Sequence, residues 1–135
     1  MKRSVFLVLT IIFTISISYA IIFDITPNDI NTEIANAIKA GDAAALAKYF
    51  NSTIDLTVPD NDGTFSKAQA ELIVKDFFSK NPPKSFVVNH SGSSNDGSLF
   101  SVGTYISGSK SYRTYFLVKK TTATFSIQQL QFELQ

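Results

Sequence analysis

Cysteine is absent from the 135 residues. That excludes a disulfide framework and a lipid-modified N-terminal cysteine, so the domain must be held together by its core alone. Histidine is nearly absent too. His90 stands alone, and without thiols or further imidazoles a protein metal site of the usual kind is not expected. No cofactor is expected either. Charge of one sign is also lacking: twelve Lys and Arg meet eleven Asp and Glu. A binder of phosphate backbones needs a clustered basic face, and the nearest approach to one is Lys119 and Lys120 at a turn, with Lys75, Lys80 and Lys84 further back. Nucleic acid is therefore not an expected partner. There is no internal repeat, low-complexity tract or long linker, so one domain is expected.

What the chain does have begins with a leader. Lys2 and Arg3 precede an uncharged apolar stretch from Val5 to about Ile17, and Ser16, Ser18 and Ala20 suit cleavage near Ala20. Residues 1–20 read as a signal peptide and 21–135 as a single mature domain, secreted or periplasmic, with no stable membrane span once the leader is gone. Ile21, Ile22 and Phe23 prolong the apolar run to Asp24, and an uncleaved anchor is the alternative. Losing Lys2 and Arg3 takes the net charge from +1 to −1.

Three helices are predicted next. Thr26 can cap the first, Pro27 occupies its first turn, and Ile30, Ile34, Ala37 and Ile38 recur at helical spacing until Gly41. Asp42 caps a second over Ala43 to Phe50. Strict alternation from Ile54 to Val58 predicts a half-buried strand, Pro59 to Gly63 a turn, and Phe65 the end of a short hairpin arm. Ser66 and Gln69 have capping-box spacing at the start of the third helix, Lys67 to Lys80, which Asn81, Pro82 and Pro83 terminate.

Four strands then follow in succession, near 85–90, 98–106, 111–119 and 124–134, joined by loops rich in Ser, Gly and Asn. Such a run pairs as an antiparallel meander, and the helices are left to cover one of its faces. In the last strand Phe125 and Ile127 change parity with Leu130, Phe132 and Leu134, which predicts a β-bulge near Gln128 and Gln129 and a strongly curved sheet. The expected class is α+β: a curved antiparallel sheet of four to six strands wrapped around three helices.

This order of elements resembles the cone-shaped fold of the nuclear transport factor 2-like superfamily, over nearly the whole mature chain. The segments Asp62-Gly63-Thr64-Phe65-Ser66-Lys67-Ala68-Gln69-Ala70-Glu71, Phe77-Phe78-Ser79-Lys80-Asn81-Pro82-Pro83 and Ile127-Gln128-Gln129-Leu130-Gln131-Phe132-Glu133 are similar to those of small exported bacterial proteins with that fold and no assigned function. What the resemblance implies is a pocket at the open end of the cone, used by some members for isomerase or dehydratase chemistry and by others only for binding. It also implies dimers formed through the sheet.

Such chemistry needs an acid or base within hydrogen-bond reach of a substrate proton. Asp55 alternates out of phase with Ile54, Leu56 and Val58, toward solvent, and Asp76 sits on a helix beside Lys75. No catalytic set emerges. His90 shares parity with Phe86 and Val88, which leaves two placements open: inside the cone, or at its rim in solvent or bonded to a loop carbonyl. If Gly108 and Ser109 form a two-residue turn, Arg113 lies opposite Thr104, on the face of Val102, Tyr115 and Leu117, either to clamp a carboxylate or as a strand-edge arginine whose stem packs on a tyrosine while its head meets water. If the fold holds a small-molecule site, it is expected at the wide end of the sheet, lined by His90, Thr104, Arg113 and Tyr115. The same count puts Tyr105, Tyr112 and Phe116 on the opposite face, expected to lie free of the helices and to form a homodimer or partner contact.

Two functions follow from this reading. The first is an exported binding or interaction module without catalytic machinery. The second is a small lyase or isomerase with a pocket base from His90 or Asp55. An enclosed cavity holding one of those side chains favours the enzyme, and a cone filled by apolar side chains favours the module.

Overall fold

A computed structural model describes residues 27–122 and 124–135; the leader, its cleavage site and Thr26 lie outside the described residues. The elements run α1 (Pro27–Ala40), α2 (Ala43–Ala47), β1 (Phe50–Val58), β2 (Asn61–Ser66), α3 (Lys67–Lys80), β3 (Ser85–Ser93), β4 (Leu99–Ser107), β5 (Lys110–Thr121) and β6 (Thr124–Leu134). One sheet contains all six strands in the order β2-β1-β6-β5-β4-β3. It is curved and unclosed, and the three helices lie on one face, as the α+β reading requires. Every neighbouring pair is antiparallel except β1 and β6, which run parallel. That pairing lies outside the expected meander, because the chain reaches β6 from β1 only after α3 and three further strands.

Local chemistry sets the element bounds. The Asp42 side chain accepts from the Ala45 amide at 2.9 Å and starts α2. This helix stops at Ala47, short of the expected Phe50, because Phe50 joins β1 opposite Ile127 and the Ile127 amide donates to the Tyr49 carbonyl. At α3 both arms of the Ser66–Gln69 capping box form, with the Gln69 amide donating to the Ser66 hydroxyl at 3.3 Å. The helix spans Lys67–Lys80, the range its sequence predicts.

Ser107 pairs with Lys110 across Gly108 and Ser109, so Thr104 faces Arg113 and Val102 faces Tyr115, in the expected register. The predicted bulge is present as well. Leu117 and Val118 are consecutive, yet they pair with Gln129 and Ile127, and Gln128 is the residue absorbed. A second register shift lies between Val88 and His90 of β3, leaving Asn89 unpaired. The sequence gives no parity break there to announce it.

The core lies between the helices and the inner sheet face. Ile34, Ile38, Leu46, Val74, Phe77 and Phe78 meet Ile54, Leu56, Leu130, Phe132, Tyr105, Tyr112 and Phe116, all at most 5% exposed. Where β3 presses on β4, a glycine makes room. A Cβ at Gly103 would meet the Val87 carbonyl oxygen at 2.6 Å and the Phe86 ring at 2.7 Å, so this position admits no side chain without moving backbone.

Candidate functional site

The inner face is packed with rings. Phe77 lies 4.6 Å, centroid to centroid, from Phe132 with the rings tilted and meets Tyr112 edge-on at 5.3 Å; Tyr105 in turn contacts Phe77, Phe78, Tyr112 and Phe132 within 6.0 Å. Pairs at these separations each add about 0.5–1.5 kcal/mol beyond the area they bury. Asn81, the C-cap of α3, satisfies the polar ends of this cluster. Its carbonyl accepts from the Tyr105 hydroxyl, its Oδ1 accepts from the Tyr112 hydroxyl at 2.8 Å, and its Nδ2 donates to the Phe77 carbonyl at 3.2 Å. Burial, with the neighbouring Tyr112 phenol as a smaller contribution, pushes the Tyr105 phenol well above its ordinary range.

Toward solvent the cluster opens into a cleft of about 210 Å³ between the β1–β2 turn, the end of α3 and the start of β5. Ile73, Phe77 and Tyr112 line it along with Asp60, Asp76 and Lys110, and the Lys80–Asp76 ion pair at 2.8 Å spans one helical turn on its rim. Both partners of that pair are more than half exposed, so it adds little stability.

Every one of the four expected ligand residues stands on the outer face, away from the helices, which corrects the placement expected for them. The unpaired Asn89 shifts the parity of β3, so His90 is exposed opposite Val102 rather than inside with Phe86, and its ring is 5.7 Å from Phe100. Thr104 accepts from Asn89 Nδ2 at 2.8 Å, Arg113 is exposed, and Tyr115 is half-buried. These four do share one face, and pairing brings Thr104 against Arg113, but they do not line the cone. The second correction is its mirror. Tyr105, Tyr112 and Phe116 are 0%, 2% and 0% exposed beneath α3 and belong to the core of their own chain, not to a free surface. Both alternating sets of the β4–β5 hairpin are apolar, so that hairpin alone does not say which set the helices cover.

Sequence reasoning missed the cap role of Asn81 and the character of the outer face beyond β5. On β6 the inner Ile127, Leu130 and Phe132 are buried, whereas Gln129, Gln131 and Glu133 point outward. On β1 and β2, Asp55 accepts from the Thr64 hydroxyl at 2.6 Å and Asp62 from the Thr57 hydroxyl at 2.8 Å, a ladder of two cross-strand bonds in solvent. The polar alternation of β6 was the available signal, since Phe132 and Leu130 pair with Thr114 and Phe116 and so mark the inner face of β5. Among the described residues no three His, Cys, Asp or Glu side chains converge as a metal site, and no helix is long and apolar enough to cross a membrane.

A family model described as a domain of unknown function (DUF4783) matches residues 31–133. The chain is similar in structure to a DUF4783 family protein from Bacteroides uniformis, with 26% identity and a TM-score of 0.73 over 78% of this chain and 97% of that one. A DUF4783 family protein from Bacteroides ovatus is similar at 26% identity and TM-score 0.71, over 76% and 93%. An NTF2-like protein of unknown function from Cytophaga hutchinsonii shares the fold at 14% identity and TM-score 0.56, over 82% and 90%. No curated protein matches the chain.

Proposed function

The chain belongs to the DUF4783 family, domains of unknown function with the nuclear transport factor 2-like fold, and from that premise we propose that it is an exported, non-catalytic interaction module whose working surface is the outer face of the sheet. One observation carries this reading. The interior of the cone is occupied by its own rings, while both side chains that would serve a lyase or isomerase as base stand outside it: His90 is exposed beside Phe100, and Asp55 is exposed and engaged by Thr64. A base must reach the substrate proton in a site that excludes water, and neither residue lines the cleft at the end of α3.

The outer face has what recognition needs. Half-buried Phe100, Val102, Ile106, Tyr115 and Leu117 lie among Thr104, Arg113 and the outward glutamines, with no helix of the described residues over them. Mixed apolar and polar groups on a rigid sheet are the composition of an interface. Export rests on the charged start, the apolar run and the small residues at Ser18 and Ala20.

Titration of the labelled protein with a library of small acidic, apolar and aromatic fragments, read by side-chain NMR, tests the reading. Shifts are expected at outer-face groups such as Val102 and Leu117. Fragments that bind below about millimolar and move the rings of Phe77, Tyr105 and Phe132 would restore the enzyme alternative. For export, sequencing of the released protein is expected to begin near Ile21; intact Met1 in the membrane fraction contradicts it.

A further inference from the structure

We propose that the first residues of the mature chain, 21–24, add a seventh strand to the open edge of β3. The proposal rests on removal of the leader near Ala20, and it concerns an edge that the reading of the outer face does not use.

The two edges of the sheet are unlike. β2 is short and acidic, six residues that include Asp62 and follow Asp60. Short length and charge are common guards of an edge strand. β3 runs for nine residues, Ser-Phe-Val-Val-Asn-His-Ser-Gly-Ser, without Lys, Arg, Asp, Glu or Pro. Its neighbour on one side is β4, and among the described residues no backbone hydrogen bond leads off its other side. Its one guard is the bulge at Asn89, which leaves residues 85–88 as a regular run of four. The unpaired N–H and C=O groups of such a run are completed by an extended chain.

The protein supplies one within reach. Ile21-Ile22-Phe23-Asp24-Ile25-Thr26 stands between the expected cleavage site and Pro27, the first residue of α1. The segment is mostly β-branched or aromatic, and Ile21, Phe23 and Ile25 alternate with a set that holds Asp24 and Thr26, the pattern of a strand with one covered side. The course of α1 fixes the direction. Its far end meets the start of β3, since a Cβ at Gly41 would stand 3.0 Å from the Pro83 ring. From there α1 returns about 21 Å, the length of about six strand residues, and brings Pro27 level with the bulge. A chain that ends a strand beside Val88 and begins α1 there needs a βα turn of about two residues, and Ile25 with Thr26 as cap makes one. Residues 21–24 then run parallel to residues 85–88. Their inner side meets a groove of about 240 Å³ between α1 and β3, lined by Ala35, Asn36, Val88 and Ser91 with Asn31, whose Oδ1 is buried and without a partner among the described residues. Phe23 enters this groove, and a backbone N–H of the added strand can donate to that oxygen. In the uncleaved precursor the same residues prolong the apolar run that starts at Val5. The sheet is therefore completed only once the leader is gone.

Amide hydrogen exchange of the released protein, followed by NMR, tests this, and its mass reports where the chain begins. A start at Ile21 is expected. Alternate amides of residues 85–88, those turned away from β4, are expected to exchange at least about tenfold more slowly than in Phe23→Asp, while the amides of α3 and β5 exchange alike in both. Fast exchange at those edge amides in the wild type, or slow exchange that Phe23→Asp leaves unchanged, overturns the proposal while the export reading stands. A chain that keeps Met1 overturns both. Because the protein has no cysteine, a nitroxide on Ile22→Cys gives a second reading, which decides alone should Phe23→Asp unfold. The label is expected to broaden the amides of β3 and to spare those of β2, at the opposite edge about 24 Å away along the sheet. Equal broadening at both edges overturns the proposal, as does broadening that passes only between labelled and unlabelled copies, which gives the edge to a second chain.

Discussion

On the inner face of β5 the hydroxyl of Thr114 is wholly buried and has no hydrogen-bond partner. A buried hydroxyl left unpaired costs about 1–3 kcal/mol, and valine has nearly the same shape without it. Thr114→Val is therefore expected to raise the unfolding free energy by about 1 kcal/mol, read from the urea midpoint at unchanged slope; a destabilised variant would mean that the hydroxyl is satisfied. Tyr105 presents the opposite case, a buried hydroxyl with a partner and a phenol pKa raised by burial. Because the folded-state pKa lies above the unfolded value of about 10, its contribution is fully present below pH 10 and is lost as the pH climbs toward the folded value. Tyr49 acts in the same direction. Its hydrogen bond to the Glu33 carboxylate, then partial burial, then the Glu33 charge raise its pKa to about 12. Stability is expected to fall above pH 10, and Tyr105→Phe to lose about 1 kcal/mol at pH 7 yet decline less steeply under alkali. Parallel pH profiles for the two proteins would contradict this.

The element that carries most of the architecture is β6, which pairs with β5 on one side and β1 on the other. Its bulge keeps Ile127 inside together with Leu130 and Phe132. Removing Gln128 leaves Ile127, Gln129, Leu130, Gln131 and Phe132 in plain alternation, so that deletion is expected to be tolerated at the cost of some twist. Removing Gln131 turns Phe132 outward and is expected to abolish folding. Soluble yield and urea midpoints of the two deletions settle the matter; equal loss in both would show that the bulge does not set the faces.

This bulge was legible because hydrophobic parity changes across it. The bulge at Asn89 was not, because Asn89, His90 and Ser91 are all polar and exposed, and a slip among them breaks no pattern. Its consequence was His90 assigned to the wrong face. The bounds of α3 and the register across Gly108 and Ser109 were readable from capping and turn chemistry, which are local. Which face of that hairpin the helices cover is not local. Tyr105 and Tyr112 are as amphipathic as Tyr115, and their placement inside depends on Asn81, 24 and 31 residues earlier in the chain, reaching both hydroxyls.

For the whole molecule, the sheet divides into an inner face consumed by folding and an outer face that no helix among the described residues covers. The inner face buries its large side chains almost completely, and a cleft of about 210 Å³ opens beside it at the end of α3. Exposed Val87, at 58%, and half-buried Val102, Ile106 and Leu117 mark the other side. The methyl signals of these four residues, measured by NMR with a soluble paramagnetic probe, test the division most directly. They are expected to be strongly broadened by the probe while Ile34, Leu46 and Leu130 are untouched, and a fragment that binds the outer face is expected to shield Val102 and Leu117. Outer methyls that the probe leaves sharp, or core methyls that it broadens, would contradict it.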